Sequence, residues 1–476
     1  MSLLSNAKWN ALSQIFKISL QLLSLVYLAK IIPPNEYGLM AMAAVFVNLG
    51  ILLRDLGTSA ALIQQRVITE ELKNTIFWLN LVLGFIILIA LCSVAGFISK
   101  VYHQPKLEYV FYLLSLTFPL SSCASAHLAL LERDSKFKVI SLIEVFSSLF
   151  SVVIAIILAK KGFGVYSLVV QAISLNLISA ICFWHVSIWR PSFKLFIDKN
   201  EVKRIFSFSA NLSLFNFINY FARSGDSFII GKYMSASILG SYNLAYRIML
   251  FPLQSLSFVA SRSLYPILSN AQDDNQLIYR TYCDCVFVIV LITAPLMAGI
   301  AILSTPIINV FFGEQWLVTS QVLKLLAPTA IIQSILSTSG SVFTAKGRTD
   351  VLMKLGIIGT ILQFGSFLIG VNYNIEVFAL CYLIANVLNF FPVMIVLMNI
   401  IAGDFYKFIL NLFPIFLSTI MMLLVLHIID LYFYQLDDIK GFSMLLFIGC
   451  GGAFTYFILL YFLSKRFRKF FSVQLR

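Results

Sequence analysis

The chain has 476 residues, 60% of them hydrophobic and 12% charged, with a formal net charge of +13. Its mean hydropathy is +0.92. A soluble globular domain carries about twice that share of charged residues, so a water-soluble fold is excluded. Alternating strands of ~10 residues are absent, which argues against a membrane barrel. The apolar runs are about 20 residues or longer, as a membrane-crossing helix needs. The fold class is therefore an all-α integral membrane protein.

The start, MSLLSNAKWN, opens into an apolar run that continues to about Ile32 without a small-residue cleavage motif. It reads as a first span rather than a removed signal. Fourteen spans are predicted, at approximately 8–31, 38–62, 75–98, 108–131, 139–159, 164–186, 204–231, 236–260, 283–303, 321–345, 351–370, 375–399, 408–429 and 441–463.

Several spans carry polar stripes. On the first, Asn10, Gln14, Lys17 and Gln21 follow i, i+4, i+7, i+11 and share one helix face. Arg54 lies in the inner half of the second. His127 and Glu144 lie near the inner ends of the fourth and fifth, where a local cap or salt bridge outweighs catalysis. On the seventh, Asn216, Asn219, Arg223 and Asp226 again share a face, and on the eighth Asn243, Arg247 and Gln254 do so. Gln333, Ser337, Ser341 and Thr344 make a milder stripe on the tenth.

Lys and Arg concentrate in alternate connections, such as Arg133 to Lys138, Arg190 to Arg204, Lys346 to Lys354 and the tail from Lys465. By the positive-inside rule those connections and both termini are cytoplasmic. Much of the net charge is thus a topology signal, and nucleic acid is not the expected partner. The tail KRFRKFF is expected to lie on anionic lipid headgroups. The seven cysteines have no zinc-type spacing and read as small apolar residues. No zinc set, phosphate-binding glycine loop or nucleophile elbow is present. No cofactor is expected, and an ATP-driven or enzymatic reading has no support.

An internal repeat is visible. LAKIIPPNEYG (Leu28 to Gly38) matches IGKYMSASILG (Ile230 to Gly240), each with a Lys closing one helix and a Gly opening the next. LLERDSKFK and TAKGRTDVLMK match in the same sense. Six spans separate the paired features, so the copies have the same orientation. The expected organisation is an N-terminal six-helix lobe (1–190), a cytoplasmic linker (191–203), a second six-helix lobe (204–400), and two additional helices with a basic tail (401–476). The two lobes form a parallel pseudo-twofold repeat.

Each charge near a helix centre costs ~2.5–3.5 kcal/mol on insertion scales, so Lys17, Arg54, Arg223 and Arg247 must face water, a partner or a ligand. Arg223 and Asp226 are spaced to pair with each other, and Arg54 is next to Asp55. Interhelical hydrogen bonds account for part of the Asn and Gln stripes. Lys17 and Arg247 have no acid within a turn on their own helices. The excess of embedded bases over acids favours an anionic ligand.

PPNEYGLMAMAAVFVNL, RDLGTSAALIQQ, LERDSKFK, WRPSFKL with EVKRIFSFSANL, DSFIIGKYMSASILGSYNLAYRIMLFP and AKGRTD are similar to Wzx-type polysaccharide and O-antigen flippases of the multidrug/oligosaccharidyl-lipid/polysaccharide exporter superfamily, in the colanic-acid-exporter-like branch. The resemblance covers roughly residues 5–400. It implies two lobes, alternating access and a cationic lumen, with Lys17, Arg54 and Arg247 on the helices that line it. It implies as substrate an undecaprenyl-pyrophosphate-linked oligosaccharide, moved across a bacterial cytoplasmic membrane. A polysaccharide polymerase and a chain-length regulator are the partners it suggests. The last two helices resemble those of the lipid II flippase branch. Proton or sodium coupling is an expectation of the same kind, with Asp226 the candidate coupling acid. The alternatives are a cation-coupled multidrug exporter of the same superfamily and a membrane polysaccharide polymerase.

Overall fold

The structure is a computed structural model that describes residues 3–55, 62, 69–192, 220, 224–270, 272–432 and 441–468. All regular secondary structure among these residues is helical. Eleven stretches among them are long and apolar enough to cross a membrane. The expected class, an all-α membrane protein, is the observed one.

The chain separates into two compact units, Met1–Gly240 and Ser241–Arg476. The first holds α1 (Leu3–Ile31), α2 (Pro34–Asp55), α3 (Glu70–Val101), α4 (Lys106–Ser115), α5 (Thr117–Arg133), α6 (Phe137–Lys160), α7 (Val165–Val186), helical residues 224–233 and the start of α8 (Ala236–Asn270). The second holds the rest of α8, then α9 (Asn275–Ile302), α10 (Ser304–Phe311), α11 (Leu317–Ala345), α12 (Thr349–Gly370), α13 (Ile375–Ile400), α14 (Phe405–Tyr432) and α15 (Phe442–Leu463).

Inside each unit the helices choose neighbours by the same scheme. In the first, α3 packs on α5, α5 on α7 and α6 on α7. In the second, α9 packs on α11, α11 on α13 and α12 on α13. The matched loops also share a backbone. Ser135 and Gly347 both take positive φ, 55° and 67°. The Lys136 amide donates to Leu131 O at 2.9 Å, and the Arg348 amide to Phe343 O at 2.8 Å. Both are left-handed helix endings that satisfy carbonyls otherwise left without donors. The repeat read from short sequence matches is therefore carried by packing and by loop geometry.

Four helix starts are capped by side chains. Thr69 Oγ1 accepts the Leu72 amide, Asp274 Oδ1 the Leu277 amide, Asn374 Oδ1 the Val377 amide and Asp404 Oδ1 the Lys407 amide. Each satisfies one of the amides that a helix start leaves open. The one expected span at 108–131 is two helices, α4 and α5, meeting at Leu116. Ser115 Oγ donates to Tyr112 O and Thr117 Oγ1 to Leu114 O, and such back-bonding competes with the helical ladder.

The expected lipid-bound tail is corrected in part. Arg466 pairs with Asp284 on α9 and lies 4.7 Å from the centroid of the Phe287 ring. Phe467 is buried. The first residues of the tail are thus docked on protein, because Asp284 supplies a carboxylate where lipid headgroups were expected.

Candidate functional site

Lys17 is the fifteenth of the 29 residues of α1, placing it at mid-helix. Its Nζ lies 2.5 Å from Oε2 of Glu144 on α6, the helix against which α1 packs. The side chains keep 27% and 36% of their accessible surface, so the pair is reachable and not sealed in a core. Gln14 and Gln21, one turn either side on the same face, are exposed. The expectation that Lys17 stands as an unneutralised cation is corrected. The sequence shows no acid within a turn on its own helix, and the partner comes from another. The expectation of a salt bridge at Glu144 is met by the same contact. Pairing lowers the cost of placing either charge in the membrane, while leaving both groups their hydrogen-bonding chemistry.

Arg54, half-buried at the end of α2, donates from Nη1 to Ser121 Oγ on α5. Ser121 in turn donates to Thr117 O at 2.7 Å. Asp226 is buried, and its Oδ1 accepts the amide of Ser227 at 2.5 Å. Nearby, Tyr220 donates its hydroxyl to Val45 O on α2. Asn216, Asn219 and Arg223 lie outside the described residues, as do the side chains of Asn10 and Gln254. In the second unit, Asn243 is half-buried and Arg247, one turn on, is exposed. Lys17, Arg54 and Asp226 thus belong to the first unit, and Asn243 and Arg247 to the second.

The stripe on α11 is a hydrogen-bond network between helices. Gln333 Nε2 donates to Tyr382 OH at 2.8 Å and to Asn386 Oδ1 at 3.2 Å, both on α13. Asn386 Nδ2 donates to Tyr382 O at 2.8 Å. Ser337 and Thr344 donate to carbonyls of their own helix.

Some of the polar architecture is not apparent from the sequence. Glu36, in the first turn of α2, accepts Lys106 Nζ at 2.9 Å and the Val165 amide at 3.0 Å. One carboxylate therefore ties together the ends of α2, α4 and α7. At the opposite ends, His127 is neither a cap nor a salt bridge, contrary to expectation. It is fully buried, and neither ring nitrogen has a hydrogen-bond partner among the described residues. Ring centroids of Trp184 and Trp189 lie 4.8 and 5.4 Å from its own. Trp189 Nε1 donates to Glu70 Oε2, Trp78 Nε1 to Ser192 O, and the Ser192 amide to Asn74 Oδ1. The chain leaving α7 is clasped onto the start of α3 by these bonds. Three of the five tryptophans sit here, the one sequence signal of the clasp.

Among the described residues, no three of His, Cys, Asp and Glu gather as a metal site. Within each unit the described polar side chains are joined by ion pairs and hydrogen bonds between helices. The chain is similar to the lipopolysaccharide biosynthesis protein WzxC of Escherichia coli strain K12, 26% identical over 423 residues, covering 87% of this chain and 85% of the relative. It is also 26% identical to the teichuronic acid biosynthesis protein TuaB of Bacillus subtilis strain 168 over 392 residues, 82% of this chain and 80% of that one. Its fold is that of the lipid II flippase MurJ in an inward closed conformation, with a TM-score of 0.71, 17% identity, and 98% and 99% of the two chains covered. These likenesses, with the many long apolar helices, define a multi-pass membrane protein with the fold seen in MurJ. Residues 27–321 match the model of the polysaccharide biosynthesis protein family, and the chain belongs to that family.

Proposed function

We propose that the chain carries a lipid-linked oligosaccharide across the cytoplasmic membrane of a bacterium, its prenyl tail in lipid and its pyrophosphate and sugars passing through the protein. The observation that carries this reading is the pairing of family and fold. The family ties the chain to polysaccharide biosynthesis, and the likeness to a lipid II flippase runs through α14 and α15 rather than stopping at α13. A carrier of hydrophilic head groups needs polar side chains at membrane depth, and Gln14, Lys17 and Gln21 supply a reachable row of them on α1. Lys17 is the residue assigned to the phosphates, with Arg54, Arg223 and Arg247 as further cations and Asn216, Asn219 and Asn243 toward the sugars. Alternating access presents the same groups to each side in turn. Both termini lie on the cytoplasmic side in this reading, as the loop charges require.

The test is depletion of the protein in its own host, followed by labelling of lipid-linked repeat units in each leaflet. The reading expects repeat units to accumulate in the inner leaflet. Accumulation of single repeat units in the outer leaflet contradicts it and points to polymerisation as the lost step.

A further inference from the structure

We propose that six lysines at one end of the first unit, Lys30, Lys100, Lys106, Lys160, Lys161 and Lys232, form a docking surface for the phosphate-bearing head group of the cargo. The inference rests on the reading of the cargo as a pyrophosphate-linked oligosaccharide and adds a second place that holds it, apart from Lys17. In that reading this end faces away from the cytoplasm, so the surface receives the head group once it has crossed. The interaction is electrostatic: each ammonium is a compact point charge that engages phosphate oxygens.

All six side chains are exposed, and the segments that carry them meet at this end. Lys30 and Lys160 lie in the last turns of α1 and α6, and Lys160 Nζ is 5.8 Å from the ring centroid of Tyr27, one turn before Lys30. Lys106 bonds to Glu36, which also takes the Val165 amide of the connection that Lys161 opens. Lys100 is close in sequence to Tyr102, and a Cβ at Gly231, next to Lys232, would lie 2.7 Å from the Tyr102 ring. The acids at this end, Glu36 and Glu108, are half-buried, and both are engaged, Glu36 as above and Glu108 by the Tyr112 hydroxyl. Among the described residues, Lys100, Lys160, Lys161 and Lys232 form no ion pair. The surface therefore carries an excess of unneutralised positive charge. The fold does not require it. A lysine in a last turn complements the helix dipole, yet α9 and α12, the counterparts of α3 and α6, end without one. The stretches that follow them, 302–316 and 370–376, contain no Lys or Arg and hold Glu314 and Glu376 instead. Lys106 is the first residue of α4, where the dipole disfavours a cation. The positive-inside bias also acts against lysines on this side. Complementarity to an anionic ligand accounts for their presence. Anionic lipids surround both units alike, whereas the charge is on one, which favours a ligand delivered to one place.

The test uses the purified full-length chain in nanodiscs of neutral phosphatidylcholine, with inorganic pyrophosphate as probe. Acetylation by a membrane-impermeant ester, read for each lysine by mass spectrometry, reports which ammonium groups the probe covers. Pyrophosphate is expected to slow labelling of Lys100, Lys106, Lys160, Lys161 and Lys232 about threefold or more and to leave Lys324 and Lys354 of the second unit unaffected, with the protection lost in ~1 M salt. One ligand held by several lysines also couples them, so Lys160→Gln combined with Lys161→Gln is expected to remove about half of the protection at Lys106. Neither replaced side chain is ion-paired among the described residues, so the double variant keeps its fold. Protection of Lys17 with none at the five lysines overturns the docking surface and leaves the cargo reading standing. Protection of neither contradicts the anionic-cargo reading, and the docking surface with it. Protection by phosphatidylglycerol added to the disc, with none by pyrophosphate, assigns the surface to lipid and overturns the proposal. Equal protection of Lys324 and Lys354, or unchanged protection of Lys106 in the double variant, shows lysines acting singly and overturns it as well.

Discussion

Gly38 and Gly240 occupy the same place in α2 and α8, four residues past the first residue of each helix, and each packs against the start of the other's helix. A Cβ at Gly38 would overlap the carbonyl oxygen of Ala236, and one at Gly240 the carbonyl oxygen of Pro34. The contact is reciprocal, as the internal repeat requires. It is made by backbone on backbone, so neither neighbour has a flexible side chain to move aside. Close approach of this kind is what small residues permit between membrane helices.

Gly38→Ala and Gly240→Ala are therefore expected to destabilise by about 1–3 kcal/mol each, the usual cost of overpacking. The double variant is expected to cost less than the two together, because either alanine already forces the one shared contact apart. Thermal unfolding of the purified protein in detergent measures both effects. Additive losses contradict a single reciprocal contact.

Trp189 and Glu70 hold the chain leaving α7 against α3 through one indole hydrogen bond of 2.9 Å. Trp189→Phe keeps an aromatic ring, though a smaller one, and removes that bond. It is expected to cost on the order of 1.5 kcal/mol locally, as for a bond to a charged acceptor. Hydrogen exchange at the amides of 187–190 and 192 is expected to rise about tenfold, with the amides of α6 unchanged. Unchanged exchange at these amides places the anchoring in Trp78 and Asn74 instead.

Gln333 donates to both Tyr382 and Asn386, and its role is to join α11 to α13. Gln333→Leu is expected to lower stability by about 1 kcal/mol and to leave flipping near wild type. Thermal unfolding and complementation of a strain lacking its own flippase check the two halves separately. Loss of flipping at full stability would move Gln333 from scaffold to cargo contact.

The sequence was most informative where one helix suffices. Hydropathy shows the spans, and loop charges set their expected orientation. The loops around Ser135 and Gly347 are matched from a handful of residues because a left-handed helix ending leaves a local trace. It was least informative where chemistry depends on two helices meeting. Lys17 and Glu144 are 127 residues apart, and no spacing rule on α1 indicates a carboxylate on α6. The same holds for Gln333, whose stripe could have faced a ligand until α13 was seen beside it. His127 shows a different gap. Its ring is enclosed by tryptophans from the far end of α7, and a lone histidine near a helix end gives no hint of that. The break at Leu116 was hidden because a span of the right length reads the same with or without a kink.

The central claim is that this chain moves an anionic lipid-linked head group with Lys17 among its contacts. Reconstitution into vesicles with a fluorescent undecaprenyl-pyrophosphate-linked oligosaccharide tests it most directly, with exposure of the head group read by membrane-impermeant quenching. The account predicts protein-dependent flipping, reduced about tenfold or more in Lys17→Ala, the scale of one lost charge-assisted contact of ~1.5–3 kcal/mol. Flipping no faster than in protein-free vesicles, or equally fast in Lys17→Ala and wild type, would contradict it.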